Sequence, residues 1–304
     1  MIGHCRVCGA TDIGHLCNTR NGRTKTTLIR HYRCSACGSV FVGNAIDKDE
    51  LSAAYSSLDS KTLYEEIQST TRKKMDTAIA HLKTRVPQTK SIIDIGTGNG
   101  LFVVLLNKAG YQDISAHEIG GDLAGINGIA HHIYHDDDYG TIPSDAFDAV
   151  TLLDVAEHVP DPGYLMKTCN RILKPDGVIY FHTPVVTKTD RMMQGLLKLP
   201  LLHKVGTIWQ TGRTSIFHLE NYTPKSLTLI LDRAGFYDIE IEVKNELSWP
   251  VTRYIRTYLL GRQGLPGFLA PVLTPFLYPF LASNFFNPNK AIVIAKKRNN
   301  RTTR

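Results

Sequence analysis

Residues 91–106 read SIIDIGTGNGLFVVLL, and the fold is decided there. Ile92, Ile93 and Ile95 make a short apolar, β-branched run cut off by glycine, the pattern of a strand buried on both faces of a parallel sheet. Gly96, Gly98 and Gly100 then form a turn in which side chains would block a ligand lying against the backbone. From Leu101 to Lys108 the apolar residues return at helical spacing, so the free N–H groups of that helix point at the turn. The unit is strand, glycine turn, helix, and it suits a cofactor of the adenosine type.

One position separates two such cofactors. A dinucleotide fingerprint, G-x-G-x-x-G, needs glycine at 101, where the backbone approaches a pyrophosphate. Here that residue is Leu101, and the third glycine is Gly100, giving D-x-G-x-G-x-G from Asp94. These residues resemble motif I of the class I S-adenosylmethionine methyltransferases. The resemblance implies an α/β fold, with a seven-stranded Rossmann-like methyltransferase sheet and S-adenosylmethionine as cofactor. A carboxylate at Asp94 suits a cationic sulfonium and would repel phosphate.

The downstream residues extend the resemblance. Residues 114–119 (ISAHEI) read as the next strand, with Glu118 near its carboxyl end, twenty residues after Gly98. That is the separation at which an acid meets the ribose hydroxyls. A third strand over 131–135 ends in three aspartates; the resemblance favours Asp136 for the adenine amino group, with Asp137 the alternative. Residues 147–162 (FDAVTLLDVAEHVPDP) resemble the family's fourth strand and its E-H pair, here Glu157 and His158. The resemblance places Asp154 beneath the methionine part of the cofactor and His158 near the transferable methyl. An imidazole there is suited to take a proton from a substrate hydroxyl; the competing reading is that His158 only braces the loop before Pro160. A helix through 166–173, a Pro-Asp-Gly turn and a strand ending at His182 follow in family order. Thr223 and Pro224 start a later helix, strands are expected over 237–244 and 291–295, and the last of these is antiparallel in this family. Trp209, His218 and Tyr222 are candidates for the acceptor side.

Four of the six cysteines form two C-x-x-C pairs, Cys5 with Cys8 and Cys34 with Cys37, each followed by glycine. Two such knuckles offer four thiolates to a tetrahedral ion, with a hairpin between them. The expectation is structural zinc, closed to chemistry, and a glycine that leaves N–H groups free to approach sulfur. A redox pair would stand beside a βαβ pattern, which is absent here. His4, His31 and Cys17 are spare donors. Arg20, Arg23, Lys25, Arg30 and Arg33 lie around the knuckles, but no aromatics alternate with them, which argues against nucleic acid as a partner.

The sequence therefore divides into a zinc ribbon (1–46), linking helices (47–90), a methyltransferase domain (91–298) with insertions at about 186–217 and 249–288, and a basic tail (299–304). Tyr55 and Tyr64 in the linker are positioned as a lid or as plain packing. The second insertion is strongly apolar, and its prolines are expected to break it into turns too short to cross a bilayer. It reads as a peripheral membrane contact or as a homodimer surface or lid. The formal charge of +7 is placed largely in the terminal run KKRNNRTTR. No charged-then-apolar leader and no run of eighteen apolar residues occur, and the paired cysteines suit a reducing compartment, so the cytoplasm is expected.

A four-cysteine ribbon before such a core resembles bacterial enzymes that methylate cell-surface polysaccharides and secondary metabolites. The resemblance implies methyl transfer to oxygen of a small-molecule or saccharide acceptor, a sugar or a lipid-linked saccharide. Carbon methylation of a quinone-like or lipid acceptor is the enzymatic alternative. An RNA- or protein-binding module that merely retains the cofactor is the alternative of another class.

Overall fold

The computed structural model describes residues 3–20, 28–44, 60–120, 123–135, 139–213, 218–247, 250–261 and 265–299, with backbone alone at 60–70, 212 and 258. The chain divides into two compact units, one made of Met1–Thr70, Pro184–Ser226 and Val243–Ala291, the other of Thr71–Thr183, Leu227–Glu242 and Ile292–Arg304.

The second unit is built on the glycine-turn stretch. Strands β4 (Ile92–Ile95), β5 (Ile114–His117), β6 (His132–Tyr134), β7 (Phe147–Leu153) and β8 (Leu173–Pro184) join β10 (Phe236–Lys244) and β11 (Lys290–Lys297) in one sheet. The order is β10-β11-β8-β7-β4-β5-β6, so the last strand of the chain slots between β10 and β8. The β4–β5, β4–β7, β5–β6 and β7–β8 pairs are parallel, as the continuous apolar runs imply, and the seven-stranded α/β sheet is the one expected. Helix α1 (Ser60–Lys83) precedes its first strand, and α2 (Leu101–Lys108), α3 (Pro162–Ile172) and α6 (Pro224–Arg233) lie between later ones. On α1, Thr71, Met75, Ala78 and Leu82 are buried at steps of four, three and four, one helical stripe. With Phe102, Val103 and Leu106 of α2 and Ile92, Ile114 and Ala149 of the sheet, they form the core. The first linking helix and Tyr55 fall outside the described residues, as does the Tyr64 side chain.

The first unit carries a four-stranded sheet in the order β1 (Ile13–Arg20), β2 (Leu28–Cys34), β3 (Val40–Val42), β9 (Glu220–Asn221). The hairpin expected between the knuckles is β1–β2. Nothing in the sequence announced β9, which pairs antiparallel with β3 across some 180 residues of chain, Phe41 opposite Glu220. Arg6 secures the same edge by donating to the carbonyls of Val42 and Leu219. Thr223 caps α6 through its Oγ1, which accepts from Ser226 N, and donates from the same oxygen to the Cys37 carbonyl at 2.7 Å. The stretch around 219–223 is thus tied to the cysteine knuckles.

The two insertions fold as helices, α4 (Lys188–Leu196), α5 (His203–Arg213), α7 (Val251–Tyr254, continued by a π-helical turn through Leu260) and α8 (Ala270–Leu281). Their own core holds Trp209, Ile255, Leu259, Ala270 and Leu281. Contrary to expectation, the prolines do not break 270–281: Pro275 and Pro279 sit inside α8 and Pro271 in its first turn. Pro275 and Pro279 lack the N–H groups that would reach the carbonyls of Pro271 and Pro275. All three residues are exposed and spaced by four, so the lost bonds lie along one solvent-facing stripe and the helix survives. At 12 residues α8 is still far short of a bilayer span, and no helix among the described residues is long and apolar enough to cross a membrane. At the carboxyl end, Lys296 and Lys297 belong to β11 and meet Asp238 and Asp145 at 2.7 and 2.6 Å.

Candidate active site and cysteine cluster

The glycine turn is held by backbone geometry. Gly96, Gly98 and Gly100 all have positive φ, 69°, 61° and 77°, where side chains are disfavoured. A Cβ on Gly96 would stand 2.6 Å from Val155 Cγ2, and one on Gly100 2.4 Å from Ile126 Cγ2. Two of the three glycines are therefore demanded by the protein's own packing and not only by a ligand.

Asp94 sits inside β4, 2% exposed, opposite Thr151 of β7 in the parallel register. Thr151 Oγ1 donates to its Oδ1 at 2.6 Å. Burial outweighs that bond and pushes the Asp94 carboxyl up to about 6; the Glu118 charge adds to the rise, and Lys74 opposes it. A desolvated carboxylate of this kind is eased by a cation. Glu118, just past β5, lays its carboxylate over the turn: Oε2 accepts from Gly98 N at 2.7 Å and Oε1 from Gly120 N at 3.2 Å.

On the other side of β4, Asp154 follows β7 with φ of 58°, a left-handed conformation in a residue other than glycine. Its carboxylate is gripped from both ends, by His182 Nδ1 at 2.8 Å and Lys74 Nζ at 2.6 Å. His182 is 2% exposed and closes β8, while Lys74 projects from α1. Sequence reading left Lys74 out entirely, because one lysine on an amphipathic helix carries no signal. Glu157 is fully buried, accepts from Thr183 Oγ1 at 3.0 Å, and brings its other oxygen within 4.0 Å of His158 Nε2. The His158 side chain keeps 26% of its surface exposed, so its imidazole is reachable from solvent. Asp136 and Asp137 lie outside the described residues.

The Sγ atoms of Cys5, Cys8, Cys34 and Cys37 all lie within 4.8 Å of one another, and all four residues are buried. Cys5 and Cys37 are 3.7 Å apart, Cys8 and Cys34 3.5 Å. A zinc ion with Zn–S bonds of about 2.3 Å sets its sulfurs about 3.8 Å apart, whereas a disulfide needs about 2.05 Å. The four residues fit a tetrahedral ion. Gly9 and Gly38 have positive φ of 68° and 76°, yet their N–H groups donate to the carbonyls of Cys5 and Cys34, not to sulfur. The amides facing sulfur belong instead to Val7, Cys8, Ala10 and Ser39. The glycine closes each turn and delivers the following amide to the thiolate. Among the spare donors, His31 is buried against Thr19 Oγ1 at 2.8 Å, and burial pushes the Cys17 thiol up to about 12. Neither these two nor the exposed His4 joins the cluster. Trp209, expected on the acceptor side, is 3% exposed and donates to Asp190 at 2.7 Å, which makes it a core anchor.

Residues 67–241, more than half of the chain, match a family model described as a methyltransferase domain. The chain belongs to that family. Among curated proteins it is similar to the ubiquinone biosynthesis O-methyltransferase of Neisseria meningitidis, 26% identical over 104 residues, 31% of this chain and 44% of that one. The same enzyme from Xanthomonas oryzae is 31% identical over 101 residues, 30% and 42%. The chain thus spans less than half the length of these relatives. Among solved structures, a chain from the Haloferax volcanii complex of a methyltransferase activator with a methyltransferase aligns with a TM-score of 0.54 at 14% identity, covering 84% of this chain and all of that one. A Bacillus halodurans methyltransferase aligns at 0.50 and 16%, covering 73% and 100%. Both likenesses are likenesses of fold.

In this domain, then, Asp94, Gly96, Gly98, Gly100 and Glu118 gather around one turn. Asp154 and His158 follow the neighbouring strand, and Lys74 and His182 are the residues that reading by motif did not bring to Asp154.

Proposed function

We propose that this methyltransferase moves a methyl group from S-adenosylmethionine to a hydroxyl oxygen of a sugar or lipid-linked saccharide, with His158 as the base. In this reading Gly96, Gly98 and Gly100 line the cofactor, Asp94 faces its cationic amino-acid end and Glu118 takes the ribose hydroxyls. Asp136 or Asp137 meets adenine, and Asp154, fixed by Lys74 and His182, lies under the methionine moiety. Cys5, Cys8, Cys34 and Cys37 hold a structural zinc. The carrying observation is the solvent-reachable imidazole of His158 with a buried carboxylate, Glu157, 4.0 Å away. A carboxylate at that distance stabilises the imidazolium formed when a hydroxyl gives up its proton. In-line displacement at a carbon activated by sulfonium asks the protein for alignment and that deprotonation, and little else.

The curated relatives are named for O-methylation, which favours oxygen over carbon as acceptor. The same names give a second reading, a phenolic hydroxyl on a quinone-like ring. Turnover assays with lipid-linked saccharides and with polyprenylated phenols separate the two. His158→Ala is expected to lower kcat at least 100-fold while binding S-adenosylhomocysteine as tightly as wild type in calorimetry. Unchanged turnover would remove the base assignment, and no turnover of cofactor with any acceptor would favour a binding module.

A further inference from the structure

Helix α8 carries no charged residue. One side of it, Leu273, Leu277 and Leu281, in step with Leu269 just ahead of the helix, packs into the helical core of the insertions. Beside that row, Phe268, Val272 and Phe276 step by four as well, yet they are 75%, 62% and 73% exposed. A helix that is apolar on its outward face as well as its inward one is unfavourable in water unless something covers it. The concentration is general: of the 17 large hydrophobic residues exposed among the described residues, 12 lie in 186–217 and 249–288, and Leu201 is 95% exposed.

Charge follows the same segments. The two insertions hold eight Lys and Arg and a single acid, an excess equal to the +7 of the whole chain. That acid, Asp190, is buried and paired with Arg213, so it screens none of the others. Lys188, Arg191, Lys198, Lys204, Arg253 and Arg256 are exposed. The Lys188 ammonium stands 3.4 Å from the centre of the Phe285 ring, which fixes one cation at the apolar edge. We infer that α8 and the flanking insertion segments dock on an anionic lipid bilayer. The helix lies in the interfacial plane with Phe268, Val272 and Phe276 inserted and the cations against the headgroups.

Charge decides between occupants. A second copy would meet this face by two-fold symmetry and bring the same cations against themselves, whereas an anionic bilayer neutralises them and accepts the uncharged helix. The inference stands apart from the acceptor reading and does not need it.

The test is flotation of the full chain with vesicles of phosphatidylcholine alone or with phosphatidylglycerol, at low and high salt. Binding is expected on the anionic vesicles and to weaken as salt rises. Lys198→Gln with Lys204→Gln is expected to lower partitioning about 30-fold, and Phe268→Ser with Phe276→Ser at least tenfold. All these side chains are exposed, so circular dichroism and the unfolding midpoint should stay at wild-type values. Failure to float with anionic vesicles, or flotation untouched by both double substitutions, overturns the inference. So does a lipid-free dimer in sedimentation that Phe276→Ser dissolves, because a second copy would then cover the face.

Discussion

Asp94 is a buried carboxyl that costs the fold stability, and in the proposed function it faces the cofactor's cation. Its carboxyl is held near 6 by burial, above the 3.8 of an unfolded aspartate, so the native state binds the proton more tightly than the unfolded chain. The folded protein is therefore destabilised as pH rises from about 4 through 6, and above 6 the full penalty of about 3 kcal/mol is in force. Asp94→Asn should raise the stability of the ligand-free protein by up to that amount at pH 7.5, and by clearly less at pH 4.5, in urea titrations. The same variant should bind S-adenosylmethionine more weakly, since an amide offers a cation no charge. Asparagine leaving stability unchanged at both pH values would mean that burial does not raise the Asp94 carboxyl. Asp154 illustrates the opposite arrangement, a carboxylate supplied in advance with His182 and Lys74.

The strand–turn–helix element explains why the motif was legible so far from any structure. Its glycines are set by φ and by close packing, and both constraints act within a few residues, so they leave a sequence pattern. Gly100→Ala puts a Cβ 2.4 Å from Ile126 Cγ2 in a left-handed conformation. It should cost about 2 kcal/mol or more in chemical denaturation, with cofactor affinity falling as the turn shifts. A cost near zero would show that Ile126 yields freely. The cysteine knuckles are local in the same sense, and their spacing was equally readable. What was not readable was which amide each sulfur receives, because that depends on the direction a positive φ turns the chain. The prolines of α8 were misread for a related reason. Each proline taken alone is a helix breaker, whereas the spacing of four confines the lost hydrogen bonds to one stripe.

At the scale of the molecule, the seven-stranded α/β sheet and its glycine turn were foreseen, while the strand order, β9, Lys74 and the helical fold of the insertions were not. All of these depend on contacts between residues far apart in sequence, and pairing at a distance leaves no periodicity to read. The pairing of β3 with β9 makes the knuckles part of a larger body, since Thr223 and Glu220 reach them from the far end of the chain. Chelation of a bound ion should accordingly release more than a local loop. Hydrogen exchange is expected to accelerate at 219–223 together with 5–42, and the unfolding midpoint to fall by several degrees. Exchange confined to 5–42 would mean that the four-stranded sheet survives without the ion. The proline stripe of α8 has one more consequence. An exposed Phe- and Leu-rich segment invites strand pairing between molecules, and proline cannot donate to such a ladder. Pro271, Pro275 and Pro279 place a non-donor at every fourth residue of this apolar helix. They guard against fibrous self-association while leaving the surface bare.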